Sequence, residues 1–129
     1  ITDLNLSENG LGPAGAAALS AALGCLTCVV ELDLSSNSFG AAGAAVIAPA
    51  LAALTRMTDL DLGYNDLSLR AGYEPLLPSL ASMPALQSLF LREEATPLPF
   101  PANNNRGRYS EADLLRLRTA APRAVISWA

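Results

Sequence analysis

The chain has no histidine and no lysine, so all eight of its basic residues are arginine. Without histidine, the commonest general base and metal ligand is missing. Aromatic residues make up 5% of a chain that is 51% hydrophobic, so its core must be aliphatic and alanine-filled. Cysteine occurs twice, in the string Cys25-Leu26-Thr27-Cys28. A structural zinc site needs four ligands, and a thioredoxin-like pair opens a helix, whereas this string follows the predicted end of one. Cys25 and Cys28 are therefore predicted as buried or half-buried free thiols, in keeping with a reducing compartment. No apolar run is long enough to span a bilayer without interruption by glycine or proline. No phosphate loop is present either, because Gly10-Leu11-Gly12 and Gly40 to Gly43 are not followed by a phosphate-contacting lysine.

What the sequence does contain is a period. Asp3-Leu4-Asn5-Leu6, Glu31-Leu32-Asp33-Leu34 and Asp59-Leu60-Asp61-Leu62 stand 28 residues apart. Each is followed by an asparagine (Asn9, Asn37, Asn65) and then an apolar residue (Leu11, Phe39, Leu67). A fourth strand-like segment, Leu86 to Leu91, comes 29 residues after the third in the same frame. Self-similarity at such a period denotes a solenoid. The units read 1–28, 29–56, 57–85 and 86 onward, within a chain of single-domain length.

Strands are predicted at 2–6, 30–34, 58–62 and 87–91, with Leu4, Leu6, Leu32, Leu34, Leu60, Leu62, Leu89 and Leu91 facing the core by alternation. The side chains of Asn9, Asn37 and Asn65 are predicted to satisfy backbone groups of neighbouring coils. The second half of each unit reads as a helix: Leu19, Leu23 and Leu26 recur as Ile47, Leu51 and Leu54. They recur again as Leu76, Leu80 and Met83, once a one-residue insertion before Gly72 is allowed. Outward helix positions fall near Ala14, Ala17, Ala21, Ala42, Ala45 and Pro49.

Asn9-Gly10-Leu11-Gly12-Pro13-Ala14-Gly15-Ala16, repeated as Asn37-Ser38-Phe39-Gly40-Ala41-Ala42-Gly43-Ala44, resembles the ribonuclease-inhibitor type of leucine-rich repeat. The resemblance covers about 1–91 and implies an α/β horseshoe segment with parallel strands on the concave face and helices on the convex face. It also implies a non-catalytic protein-interaction scaffold in an intracellular, cytoplasmic setting. No cofactor or small-molecule substrate is expected, and no metal, because carboxylates in rows on a flat sheet do not wrap around a cation. Relatives of this type include nuclease inhibitors, small-GTPase regulators, cytoskeletal filament cappers and immune-receptor sensor arms, so the class names an architecture rather than one function. The opening of the chain at a strand position, Ile1, reads as a cut through a longer array. In the fourth unit Glu94 and Thr96 depart from the turn pattern. Residues 95–109, with three prolines and Asn103-Asn104-Asn105, read as an irregular loop. Ser110 is a predicted helix N-cap, Leu114, Leu115 and Leu117 are predicted to bury one side of that helix, and Val125 to Trp128 form a last strand. Residues 92–129 together read as an irregular last repeat and C-terminal cap.

The predicted concave face carries two rows: Asp3, Glu31, Asp59 and Ser88, and Asn5, Asp33, Asp61 and Phe90. Neighbouring strands lie about 4.8 Å apart, so like charges meet directly. Glu8, Tyr64, Arg92 and Glu93 extend the rim, and Tyr64 and Phe90 are the aromatic anchors of a binding surface. The functional reading is an acidic face that binds a basic protein partner; the bland one is a solvated face. Residues 1–99 hold ten acids and three arginines, residues 100–129 two acids and five arginines. Nucleic acid is disfavoured because only that tail, with Arg106, Arg108, Arg116, Arg118 and Arg123, is basic. Asn5-Leu6-Ser7 matches the glycosylation pattern by chance. No charge occurs between Glu8 and Glu31 or between Asp33 and Arg56. Two alternatives follow: a regulator of an enzyme, such as a GTPase-activating solenoid, and an architectural, cytoskeleton-associated subunit covered on its convex helices within a larger complex.

Overall fold

The computed structural model describes residues 1–67, 70–92 and 111–127. Among these, β1 (Asp3–Asn5), β2 (Glu31–Asp33), β3 (Asp59–Asp61), β4 (Ser88–Phe90) and β5 (Val125–Ser127) form one parallel sheet in sequence order. The register is the one the repeat dictates: Asp3 faces Glu31, Glu31 faces Asp59 and Asp59 faces Ser88. Val125 of β5 then faces Ser88. Each ladder-paired strand is three residues long, one shorter at each end than the alternation predicts.

Parallel strands need long crossovers, and the helical halves supply them: α1 (Gly12–Leu23), α2 (Gly40–Ala52), the α3 (Arg70–Tyr73) to α4 (Leu77–Ala81) stretch, and α5 (Glu111–Ala120). Between α3 and α4 lies a 3₁₀ turn, Glu74–Leu76. This break is a departure from the continuous helix predicted there. Pro75 and Pro78 each remove a donor, and their rings crowd the carbonyl four residues back. The apolar faces survive the break, since Leu76, Leu80 and Met83 are all buried.

The core is one aliphatic cluster between sheet and helices, including Leu32, Leu34, Ile47, Leu51, Leu60, Leu62, Leu89 and Leu91. Leu4 and Leu6, on the first coil, are partly buried against it. Gly43 and Gly72 let the helices approach the turns: a Cβ would stand 2.8 Å from Phe39 Cβ and 2.7 Å from Leu67 Cα, respectively. Where the first two units have Ala16 and Ala44, the third has Tyr73, fully buried, whose hydroxyl donates to Asp113 of α5. Burial first, and Asp113 second, raise the Tyr73 hydroxyl above its ordinary value of 10.0.

Two predictions are corrected. Leu115 is 66% exposed, because α5 turns only Leu114 and Leu117 inward. Cys25 and Cys28 are free but exposed, since they sit in the turns after α1, outside the stacked coils. The predicted loop 95–109, the turn departures at Glu94 and Thr96, the Ser110 cap and Trp128 lie outside the described residues.

Candidate functional site

The turn that follows each strand is held by its asparagine. Asn65 Nδ2 donates to the carbonyls of Leu34, Leu62 and Gly63 at 2.9 to 3.2 Å, and its Oδ1 accepts from the N–H of Asn37 at 2.9 Å. Asn37 repeats this one coil earlier, with Leu6, Leu34 and Ser35 as acceptors and Asn9 as backbone donor. Both are fully buried. The Asn9 side chain, on the first coil, donates to the carbonyls of Leu6 and Ser7 of its own turn and to no other group among the described residues, and it is exposed. The backbone flanking these asparagines is left-handed: Glu8, Ser36 and Tyr64 precede them with φ of 55° to 56°, and Gly10, Ser38 and Asp66 follow with φ of 55° to 59°. Turns so fixed set where each strand ends and which residue the rim presents.

On the front of the sheet the predicted rows form as read. One runs Asp3, Glu31, Asp59, Ser88; the other runs Asn5, Asp33, Asp61, Phe90. All of these but Ser88, together with Leu4, Leu32 and Leu60, line a shallow groove of about 300 Å³. Asp3, Asn5 and Glu31 are exposed, and Asp33, Asp59, Asp61 and Phe90 are half-buried.

Sequence reasoning missed a second task of the inner row. Asn5 Oδ1 accepts from the Ser7 N–H at 2.9 Å and the Ser7 hydroxyl at 2.7 Å, and Asp33 Oδ1 from Ser35 in the same two ways. Asp61 Oδ1 accepts from the Gly63 N–H at 2.9 Å. Each is a local side-chain-to-backbone turn of the kind Asn and Asp favour. Its signal was in the sequence, as Asn or Asp followed two residues later by Ser or Gly in each of the first three units. The second oxygen of Asp33 accepts from Asn5 Nδ2 at 3.2 Å, which relieves the first step of that row. Asp59 is satisfied differently, by the Thr58 hydroxyl at 2.6 Å.

Asp61 carries the most perturbed charge of the face. Burial raises its carboxyl above the ordinary 3.8, the Gly63 N–H pulls it back, Asp33 pushes it up, and Arg92 pulls it down. Its Oδ2 has no hydrogen-bond donor among the described residues. The Arg92 guanidinium lies over the Phe90 ring at 6.0 Å from the centroid, a cation–aromatic arrangement. Tyr64, 44% exposed, stands beside it, with its N–H bonded to the Arg92 carbonyl. Glu8 occupies the corresponding rim position at the first coil and is exposed. The structure thus brings together Asp33, Asp61, Phe90, Arg92 and Tyr64 at one end of the groove, while Glu8 lies at the other. Glu93 lies outside the described residues.

Among the described residues no group of three or more His, Cys, Asp or Glu side chains is arranged to hold a metal ion. No described helix is long and apolar enough to cross a membrane.

Residues 1–20 and 25–48 match the family described as Leucine Rich repeat. No curated protein matches the chain. The chain folds as an α/β repeat solenoid, and the segments that match lie in its first two units. Domains of this family generally mediate protein–protein interaction and are typically non-enzymatic.

Proposed function

We propose that this chain is a non-catalytic interaction scaffold of the ribonuclease-inhibitor type that binds a basic protein surface through its acidic concave face. The observation that carries the reading is the register: Asp3, Glu31 and Asp59 stand directly opposite one another across three neighbouring strands, with Asp33 and Asp61 in the parallel row. Like charges directly opposite one another are destabilising, and the outer row has no local bond at Asp3 or Glu31 to account for it among the described residues. A cationic partner offsets that repulsion and is steered by it. Phe90 and Tyr64 add the aromatic contact area on which binding energy concentrates. The two free cysteines support a reducing, intracellular setting.

The test is kinetic. Asp33→Asn, Asp59→Asn and Asp61→Asn combined should slow association with a partner recovered by pull-down from native extract, and should flatten its salt dependence, since steering acts on the on-rate and is screened over about 10 Å at 0.1 M salt. An on-rate that does not change from low to high salt would refute the reading. A second reading, an architectural subunit covered on its convex side, is favoured by one observation: α2 carries no charged residue and leaves Val46 42% exposed, and a groove of about 310 Å³ next to α2 is lined by Ala45, Pro49, Pro75 and Pro78. Val46→Glu should then disrupt assembly while leaving concave binding intact.

A further inference from the structure

Arg92 is a cation inside an otherwise acidic face. It leaves β4 two residues after Phe90, on the same side of the chain by alternation, and its guanidinium folds back over the Phe90 ring at 6.0 Å. Phe90 stands opposite Asp61 in the ladder. Arg92 is close enough to Asp61 to hold its carboxyl partly down against the opposing push of Asp33. One guanidinium therefore covers the aromatic face and weakly opposes the Asp61 charge, with which it makes no ion pair among the described residues. Asp61 Oδ2, with no hydrogen-bond donor among the described residues, is the acceptor a partner's cation would reach. Asp3, Glu31 and Asp59 are not occupied in this way by any arginine among the described residues.

We infer that Arg92 is a specificity-determining residue that competes with the partner: its guanidinium occupies the Phe90 face beside Asp61, and a partner arginine stacks there and reaches Asp61 only by displacing it. This rests on the reading of the concave face as a basic-partner site. It makes that end of the groove selective for a cation that stacks as well as Arg92 does, and it leaves Asp3, Glu31 and Asp59 to provide the uncontested attraction. A guanidinium is such a cation, because it is planar, weakly hydrated and stacks on aromatic rings, whereas an ammonium is compact and strongly hydrated.

The experiment is titration of the folded protein with fluorescein-labelled oligoarginine and oligolysine peptides at low salt. Arg92→Gln should tighten oligoarginine binding about two- to fivefold, the scale of one exposed ion pair or cation–aromatic contact, and should tighten oligolysine less. Arg56→Gln, an exposed arginine on the turn after α2, removes the same charge away from the groove and should change neither. Equal tightening by both variants would mean that net charge alone is at work and would overturn the inference. Weaker binding by Arg92→Gln would make Arg92 a partner contact instead, and would likewise overturn it. If Asp33→Asn, Asp59→Asn and Asp61→Asn combined bind both peptides as the unaltered protein does, the concave reading itself fails and the inference with it. Circular dichroism melts of each variant confirm that the coils remain folded.

Discussion

Asn65 reaches across the coil boundary and holds the backbone N–H of Asn37 on its side-chain oxygen at 2.9 Å, while Asn37 holds Asn9 by the same bond at 3.0 Å. Each asparagine is thus both the staple of its own turn and the receptor for the turn before it. The donors and acceptors involved are buried at Asn37 and Asn65 and reach solvent at Asn9.

Position along the array, not residue type, should set the cost of losing an asparagine. Asn65→Ala strands the Leu62 carbonyl and the N–H of Asn37 in the interior, while the Leu34 and Gly63 carbonyls keep donors from the Asn37 amide and the Ser36 N–H. Unsatisfied buried groups cost about 1–3 kcal/mol each. A loss of about 3 kcal/mol or more is expected, against less than about 1 kcal/mol for exposed Asn9→Ala. Urea denaturation of the two variants checks this.

Core truncation should follow the same gradient. Leu34→Ala and Leu62→Ala, both essentially fully buried, should cost about 2–5 kcal/mol. Half-buried Leu6→Ala should cost visibly less. Because each coil contacts only its neighbours, the loss should spread into adjacent units, which amide exchange along β2 and β3 would register.

The left-handed turn positions make a signed pair. Ser38 sits at φ 55° where the first unit has Gly10 at φ 57°. Left-handed backbone costs an L-residue about 1–2 kcal/mol. Ser38→Gly should therefore gain roughly 0.5–1 kcal/mol after glycine's extra chain entropy, and Gly10→Ala should lose about 1 kcal/mol. Gly72→Ala fails for a different reason, because its Cβ would meet Leu67 backbone atoms at 2.7 to 3.0 Å. Overpacking of this kind costs about 1–3 kcal/mol.

Asp61→Asn separates charge from scaffold. Asn5 shows that an amide can make the same turn, so the bond to the Gly63 N–H is kept. The Asp61 carboxyl titrates above its unfolded value of 3.8. Its contribution to stability is therefore fully present below 3.8 and lost as pH rises through the folded value. At pH 7 the variant should match or exceed the parent in thermal melting, and any advantage should fade in acid as Asp61 takes up its proton. Asp33→Ala, which removes the turn acceptor for Ser35, should be destabilising at both ends of that range.

The sheet register, the asparagine turns and the two front rows were legible in the sequence because a fixed period places like residues at like points. The half-burial of Leu4 and Leu6 was not, since a periodic pattern treats an end coil like a middle one. Tyr73 was also hidden: it stands where the period has Ala16 and Ala44, and its partner Asp113 lies 40 residues on, outside any repeat. Leu115 and the thiols of Cys25 and Cys28 were misplaced because composition does not say which side of a helix or turn meets the stack. The inner row's turn bonds were visible as a spacing but were read only as charge.

The third unit is one residue longer than the second between its turn and its helix: Leu67 matches Phe39 at 28 residues, whereas Gly72 matches Gly43 at 29. The front nevertheless stays aligned, with Asp59 opposite Ser88 and Asp61 opposite Phe90. Insertions at the back are thus absorbed without a frameshift on the front. Natural variation or a grafted tag behind β3 should leave the groove in frame, whereas a single residue inserted into β2 or β3 would turn the aspartates into the core and bring leucines to the face.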